Sequence, residues 1–149
     1  TLSRVYLALA EGHWTNQSKS GLIDRPIEKV PECFNRYQVA DTGRPSRTEY
    51  EVLSEFTYEE TPFSLVRLKL QTGRTHQIRV HMASLSHPLL GDSIYGHEGF
   101  LGFDRAALHS FEITCQLPGH QDLAVFSSEM PEDFQKMIAK SINFSSTLI

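Results

Sequence analysis

LKLQTGRTHQIRVHMASLSHPLLGDSIYG, residues 68–96, decides how this chain is read. Its opening residues end a strand, because Phe63 and Leu65 alternate with Ser64 and Val66 just upstream. Gln71-Thr72-Gly73 breaks that strand. Thr75 then offers a hydroxyl N-cap, and Ile78, Met82 and Leu85 recur at helical spacing, which predicts a short helix from Thr75 to about Ser86. On it His76, Arg79 and Ala83 share one face. Pro88 and Gly91 close the helix and begin a loop through Asp92 and Tyr95. Charge singles out the same stretch. From Thr61 to Gly91 there is no acidic residue, while Arg67, Lys69, Arg74 and Arg79 are interleaved with His76, His81 and His87. The chain as a whole carries a formal charge of −4. Positive charge gathered in one place on an acidic chain suits a polyanion.

Outward from this centre the pattern is mostly extended. Val5 to Ala10 reads as a strand ended by Gly12, and Gly21 to Pro26 as a short extended segment. Val30 to Val39 has no clear period. Asp41-Thr-Gly43 is turn chemistry. Thr48 to Leu53 alternates as a half-buried strand and pairs with Phe63–Leu70 in an antiparallel hairpin, through a longish connection at Glu59–Pro62. His97 to Asp104 reads as a surface loop. Strands follow at Phe111–Leu117 and Leu123–Phe126 around a Pro118-Gly119 turn. A helix begins at Pro131, with acids in its first turn and Phe134, Met137 and Ile138 at helical spacing. Ser141 to Ile149 is expected to be a frayed tail. The class is α+β, a mostly antiparallel sheet with few helices.

At 149 residues the chain is one domain or part of one. It opens in strand-like residues with no methionine, so it is expected to belong to something longer. Cys33 and Cys115 lack metal spacing and read as reduced, part-buried thiols. No apolar run approaches the roughly 20 residues of a membrane span, and the expected location is cytoplasmic. His76 and His81 are five apart, whereas helical zinc pairs need three or four. Ser84 and Ser86 near His87 lack a nucleophile-elbow pattern. No carboxylate pair stands out, and Asp92 beside Gly91 reads as a turn or cap residue. The TGRTH turn before a helix suits a phosphate, with Arg74 beside it. Arg79 is either solvated or turned into a cleft, and spacing leaves both open. Tyr6, Leu108 and His109 read as core before site.

Taken together, LQTGRTHQIRVHMASLSHPLLGDSIYG closely resembles the signature of RluA-type pseudouridine synthases. In that family a strand enters a Gly-Arg-x-His-Gln-hydrophobic-Arg-x-His helix, followed by a His-Pro-hydrophobic-hydrophobic-Gly-Asp loop and a Tyr-Gly. VYLALAEG (5–12), GRPSRTEYEVL (43–53) and RAALHSFEI (105–113) extend the likeness in collinear order over about residues 5 to 117. Ser110, where the family usually has alanine, and the LPGHQ at 117–121 depart from it.

The resemblance implies the family's catalytic fold, incomplete here, and isomerisation of uridine to pseudouridine in structured RNA without cofactor or metal. Ribosomal RNA is the first expectation and transfer RNA the second. It implies that Arg79 pairs with the nucleophilic aspartate and that Tyr6 stacks on the uracil and handles the ring proton. Leu108 would close the other side of the base pocket, and Arg74, Thr75, His76 and Gln77 would face the RNA. The family's aspartate lies in a His-Arg-Leu-Asp segment, and none of the six aspartates here (Asp24, Asp41, Asp92, Asp104, Asp122, Asp133) has that context. The chain is therefore expected to be the C-terminal part of the catalytic domain and inactive alone. A non-catalytic RNA-binding module built on the same fold is the alternative.

Overall fold

Alternation along one central strand places both halves of the core. In the computed structural model, which describes residues 2–116 and 123–143, strand β1 (Leu2–Glu11) lies between two neighbours and is covered on both faces. Leu7 and Leu9 point to one side, Ala8 and Ala10 to the other, as the twofold period of a strand requires. Around it run β2 (Ser20–Asp24), β5 (Arg47–Tyr58), β6 (Thr61–Leu70), β7 (Leu108–Gln116) and β8 (Leu123–Ser127), in the order β2-β5-β6-β1-β7-β8. A short β9 (Ile142–Asn143) also pairs with β5. All these pairings are antiparallel. The class is the α+β expected from the sequence.

Each face receives one helix. Helix α1 (Gln77–Ser84) sets Ile78 and Met82 against Ala8, Ala10, Val66 and Leu68. Helix α2 (Glu132–Ala139) sets Phe134 and Met137 against Leu7, Leu9, Phe63 and Leu65. Glu132 and Asp133 occupy the first turn of α2, where negative charge favours the helix dipole. Neither described helix is long and apolar enough to cross a membrane.

Several local expectations are corrected. The β5–β6 connection is tight: the strands run to Tyr58 and from Thr61, leaving a turn at Glu59-Glu60 with φ of 47° and 66°. Left-handed backbone at both central residues matches the twist of a hairpin, and the long register holds two glutamates where glycine or asparagine is usual. The register of β5 slips between Val52 and Ser54, which puts Leu53 outside the ladder and ends the visible alternation there. The region lacking a clear period contains β4 (Tyr37–Val39), paired with β3 (Ile27–Lys29) as a separate two-stranded arm. In 97–104 a 3-10 turn at Phe100–Gly102 leads to Phe103, which is buried. Cys33 is exposed, not part-buried. Ile142 and Asn143 are strand, not tail. The Pro118-Gly119 turn and residues 144–149 lie outside the described residues.

Helix α1 is fixed by polar bonds as well as apolar ones. Gln77 Nε2 donates to Thr48 Oγ1 (2.9 Å), Thr48 Oγ1 lies 2.8 Å from His81 Nδ1, and His81 Nε2 lies 2.8 Å from the Arg25 carbonyl. A neutral His81 satisfies every member of this buried chain: Thr48 donates to Nδ1, and Nε2–H donates to the carbonyl. Burial holds the proton affinity of His81 below its ordinary value, and does the same for His76 and His87. Three imidazoles are therefore kept neutral in the folded state, while the unfolded chain takes up protons near pH 6.5. Their stabilising contribution is complete above that pH and is lost as pH falls from about 6.5 toward the depressed native values. The melting temperature should drop between pH 7 and pH 5.5; a flat profile in differential scanning fluorimetry would contradict this.

Candidate active site

A cavity of about 260 Å³ opens where the start of β1 meets the loop entering α1. Its apolar wall is built from Tyr6, Leu70, Ile78 and Leu108, and its polar wall from Arg4, Arg74, His76, Gln77 and Arg79. Six of the seven residues singled out in the sequence border it. Thr75 is the exception; it is exposed and lines a neighbouring cavity.

Leu108 is set beside Tyr6 by a defect in the sheet. On β7, Ser110 pairs with Tyr6 and Glu112 with Val5, which leaves Phe111 as the extra residue of a bulge. Bulges beside sites re-aim side chains in this way. Leu108 pairs with Ala8, so Tyr6 and Leu108 stand on the same face of neighbouring strands, each half-buried. Arg4, two residues before Tyr6, follows on the same strand face and belongs to the polar wall. It was not singled out in the sequence, although the strand period connects it to Tyr6. Its guanidinium makes no hydrogen bond or ion pair with the described residues.

Arg79 is neither solvated nor unpaired. Its Nε and Nη2 donate to Asp92 Oδ2 and Oδ1, each at 2.8 Å, in a bidentate fork. Asp92 is fully buried, and Oδ1 also accepts the amide protons of Ile94 (3.0 Å) and Tyr95 (3.1 Å). Asp92 is thus the turn residue expected, and also an ion-pair partner that was not expected. Burial alone would push its carboxyl up. The Arg79 fork, the two amides and the guanidinium charge outweigh burial and hold it below the usual carboxylate range. The Asp92 bond in turn raises Arg79, so its charge is permanent. Arg79 Nη1 has no hydrogen-bond partner among the described residues, and a second carboxylate or a phosphate can take it. Gly91 makes the approach possible: with φ of 74°, a Cβ there would lie 2.4 Å from the Arg105 carbonyl oxygen and 2.5 Å from that of Phe103.

The entry to α1 differs from the expected Thr75 cap. His76 is the N-cap, in left-handed backbone (φ 58°), and no side chain caps the helix. The reason lies in Gln77. Its Oε1 accepts from the Arg74 amide (3.0 Å) and Thr72 Oγ1 (2.8 Å), while Nε2 donates to the Arg47 carbonyl (2.8 Å) and Thr48. Four bonds exhaust the amide, so Gln77 shapes the loop and has nothing left to offer RNA. His76 is packed edge-on between Tyr37 and Tyr95, with Nδ1 2.7 Å from the Tyr95 hydroxyl. Burial, then the Arg79 charge, depress its proton affinity against the opposing pull of Asp92. Arg74 Nε donates to the Pro45 carbonyl (3.1 Å), which steers the guanidinium while leaving its terminal nitrogens unbonded. The cavity sets apolar Tyr6 and Leu108 beside three cations, Arg4, Arg74 and Arg79, a lining that suits a flat ring next to an anion.

Comparison with known proteins agrees in one direction. A family model described as RNA pseudouridylate synthase matches residues 1–84. The chain is 36% identical over 146 residues to ribosomal large subunit pseudouridine synthase D of Nitrosomonas europaea, covering 93% of this chain and 40% of that protein. It is 40% identical over 137 residues to a Bacillus subtilis protein named uncharacterized RNA pseudouridine synthase YhcT, covering 92% and 44%. The chain spans less than half the length of both relatives. Among solved structures it is similar to human RNA pseudouridylate synthase domain containing 1, with a TM-score of 0.75 and 29% identity, over 95% of this chain and 60% of that one.

The Arg79–Asp92 pair has a measurable consequence. Asp92→Ala strands a guanidinium and two amides and should cost about 3 kcal/mol in urea denaturation. A loss below about 1 kcal/mol, the worth of an exposed pair, would show that solvent replaces the carboxylate.

Proposed function

The chain belongs to the RNA pseudouridylate synthase family, and from that premise we propose that it forms the base-binding part of an enzyme that isomerises uridine to pseudouridine in RNA. The substrate is ribosomal RNA before transfer RNA, and the enzyme works in the cytoplasm. One observation carries this reading: Tyr6 and Arg79, far apart in sequence, border a single cavity in which Arg79 keeps an unspent donor.

The reaction breaks the bond from ribose to the ring nitrogen and makes one to a ring carbon. The carbon loses a proton and the nitrogen gains one, so atoms and electrons balance without an added group. The uracil leaves its stack to enter the cavity, where Tyr6 covers one side and Leu108 the other. Arg79 Nη1 holds a nucleophilic carboxylate ionised and aimed, while the Asp92 fork keeps the guanidinium from swinging away. That carboxylate comes from a His-Arg-Leu-Asp segment outside these 149 residues. Tyr6 handles the ring proton in the last step.

Tritium release from ring-labelled, unmodified ribosomal RNA transcript by the full-length protein tests this. Tyr6→Phe should slow release by about 100-fold or more, the range for a lost acid–base group. Arg79→Ala should abolish it; activity equal to wild type would refute the role of Arg79. The 149-residue chain alone should release nothing, and release would place the nucleophile among its own aspartates.

A further inference from the structure

Beside the first cavity, and sharing Gly73 and Arg74 with it, lies a second of about 380 Å³. The β3–β4 arm forms its far wall. The arm is held in place by backbone bonds between Ile27 and Arg44 in both directions, 3.0 and 2.8 Å, and by the Tyr37 amide, which donates to the Tyr95 hydroxyl (2.9 Å). Glycine is obligatory where the arm meets the body. A Cβ on Gly43 would lie 2.6 to 2.8 Å from backbone atoms of Ile27.

The lining has the chemistry of a nucleotide site. Lys29 and Arg44 reach into it with no ion-pair partner among the described residues, and Arg74 closes the boundary with the first cavity. The one carboxylate present, Glu28, accepts from Thr42 Oγ1 and from Gln38 Nε2 (3.3 Å), and against Lys29, Arg44 and Arg74 its single charge leaves the lining positive. Tyr37 offers a half-exposed ring, and Thr42 and Thr75 offer exposed side chains with hydroxyls. A flat ring surface beside cations binds bases with little regard to sequence.

We propose that this second cavity holds the nucleotide next in the RNA strand to the one whose base enters the first, with Arg74 gripping the phosphate between them. This rests on the uridine-binding role of the first cavity. It assigns Lys29, Tyr37 and Arg44 to the flanking nucleotide, which the arm holds whatever base that nucleotide carries.

The experiment titrates full-length protein with uridine 5′-monophosphate and with the dinucleotide UpU, followed by nuclear magnetic resonance. UpU should bind about tenfold more tightly than the mononucleotide, a gain of the size one stacked base supplies. In Lys29→Ala/Arg44→Ala that gain should vanish while mononucleotide affinity stays at the wild-type value, which also reports an intact fold. Lys29→Arg/Arg44→Lys should restore it. Wild-type protein that binds UpU no more tightly than the mononucleotide, or a double variant that keeps the gain, overturns the proposal. Failure of the functional reading shows separately, as absence of tritium release by wild type on the ribosomal transcript.

Discussion

The two-pronged contact between Arg79 and Asp92 organises everything around it. A carboxylate with no exposure is costly unless its oxygens are met by donors, and here four donors meet them. Because two of those donors are amides of the loop that follows, the same contact folds residues 92–95 into a turn. That turn delivers Tyr95 to His76 and to the arm. The guanidinium is committed along one edge and open along the other. A rigid cation with one vacant donor is what a second anion needs, and rigidity here comes from the carboxylate beneath it.

Charge and shape are separated across the site. The apolar side comes from strands β1, β6 and β7, set by register and one bulge, with Ile78 added from α1. The cationic side comes from Arg4 of β1 and from the loop and first turn of α1, where Gln77 consumes its own amide to hold residues 72–74 in place. The two sides are tied together, since Ile78 packs on the sheet and Gln77 bonds Thr48 of β5. The arm, where Lys29, Tyr37 and Arg44 stand, is a sheet of its own beside them.

The strands and helices that carry the core were legible in the residues, because Phe63, Leu65 and Val66 alternate and Ile78 and Met82 recur by fours. The cap of α1 was not. Thr75 has the right chemistry for a cap, but a buried glutamine with four partners decides the local backbone, and such tertiary bonds leave no trace in sequence. The β3–β4 arm escaped notice since three-residue strands show no period. The Glu59-Glu60 turn lacks the residues that usually mark left-handed backbone. Tyr6, Arg79 and Leu108 were placed by family resemblance before any geometry. Arg4 was missed though it shares a strand face with Tyr6, and Asp92 was read only as a turn because its ion-pair partner lies 13 residues away.

The central position of β1 has a thermodynamic corollary. A strand with neighbours on both edges and a helix over each face exchanges its amides only when the whole sheet opens, so the tyrosine wall is as immobile as the protein itself. The arm is two three-residue strands tied to the body by the Ile27–Arg44 backbone bonds and the Tyr37–Tyr95 bond, far fewer than hold β1, and an element with fewer bonds opens at lower free energy. Under the proposed function an entering strand would meet an anvil on one side and a lightly tethered finger on the other, with alignment dictated by the first.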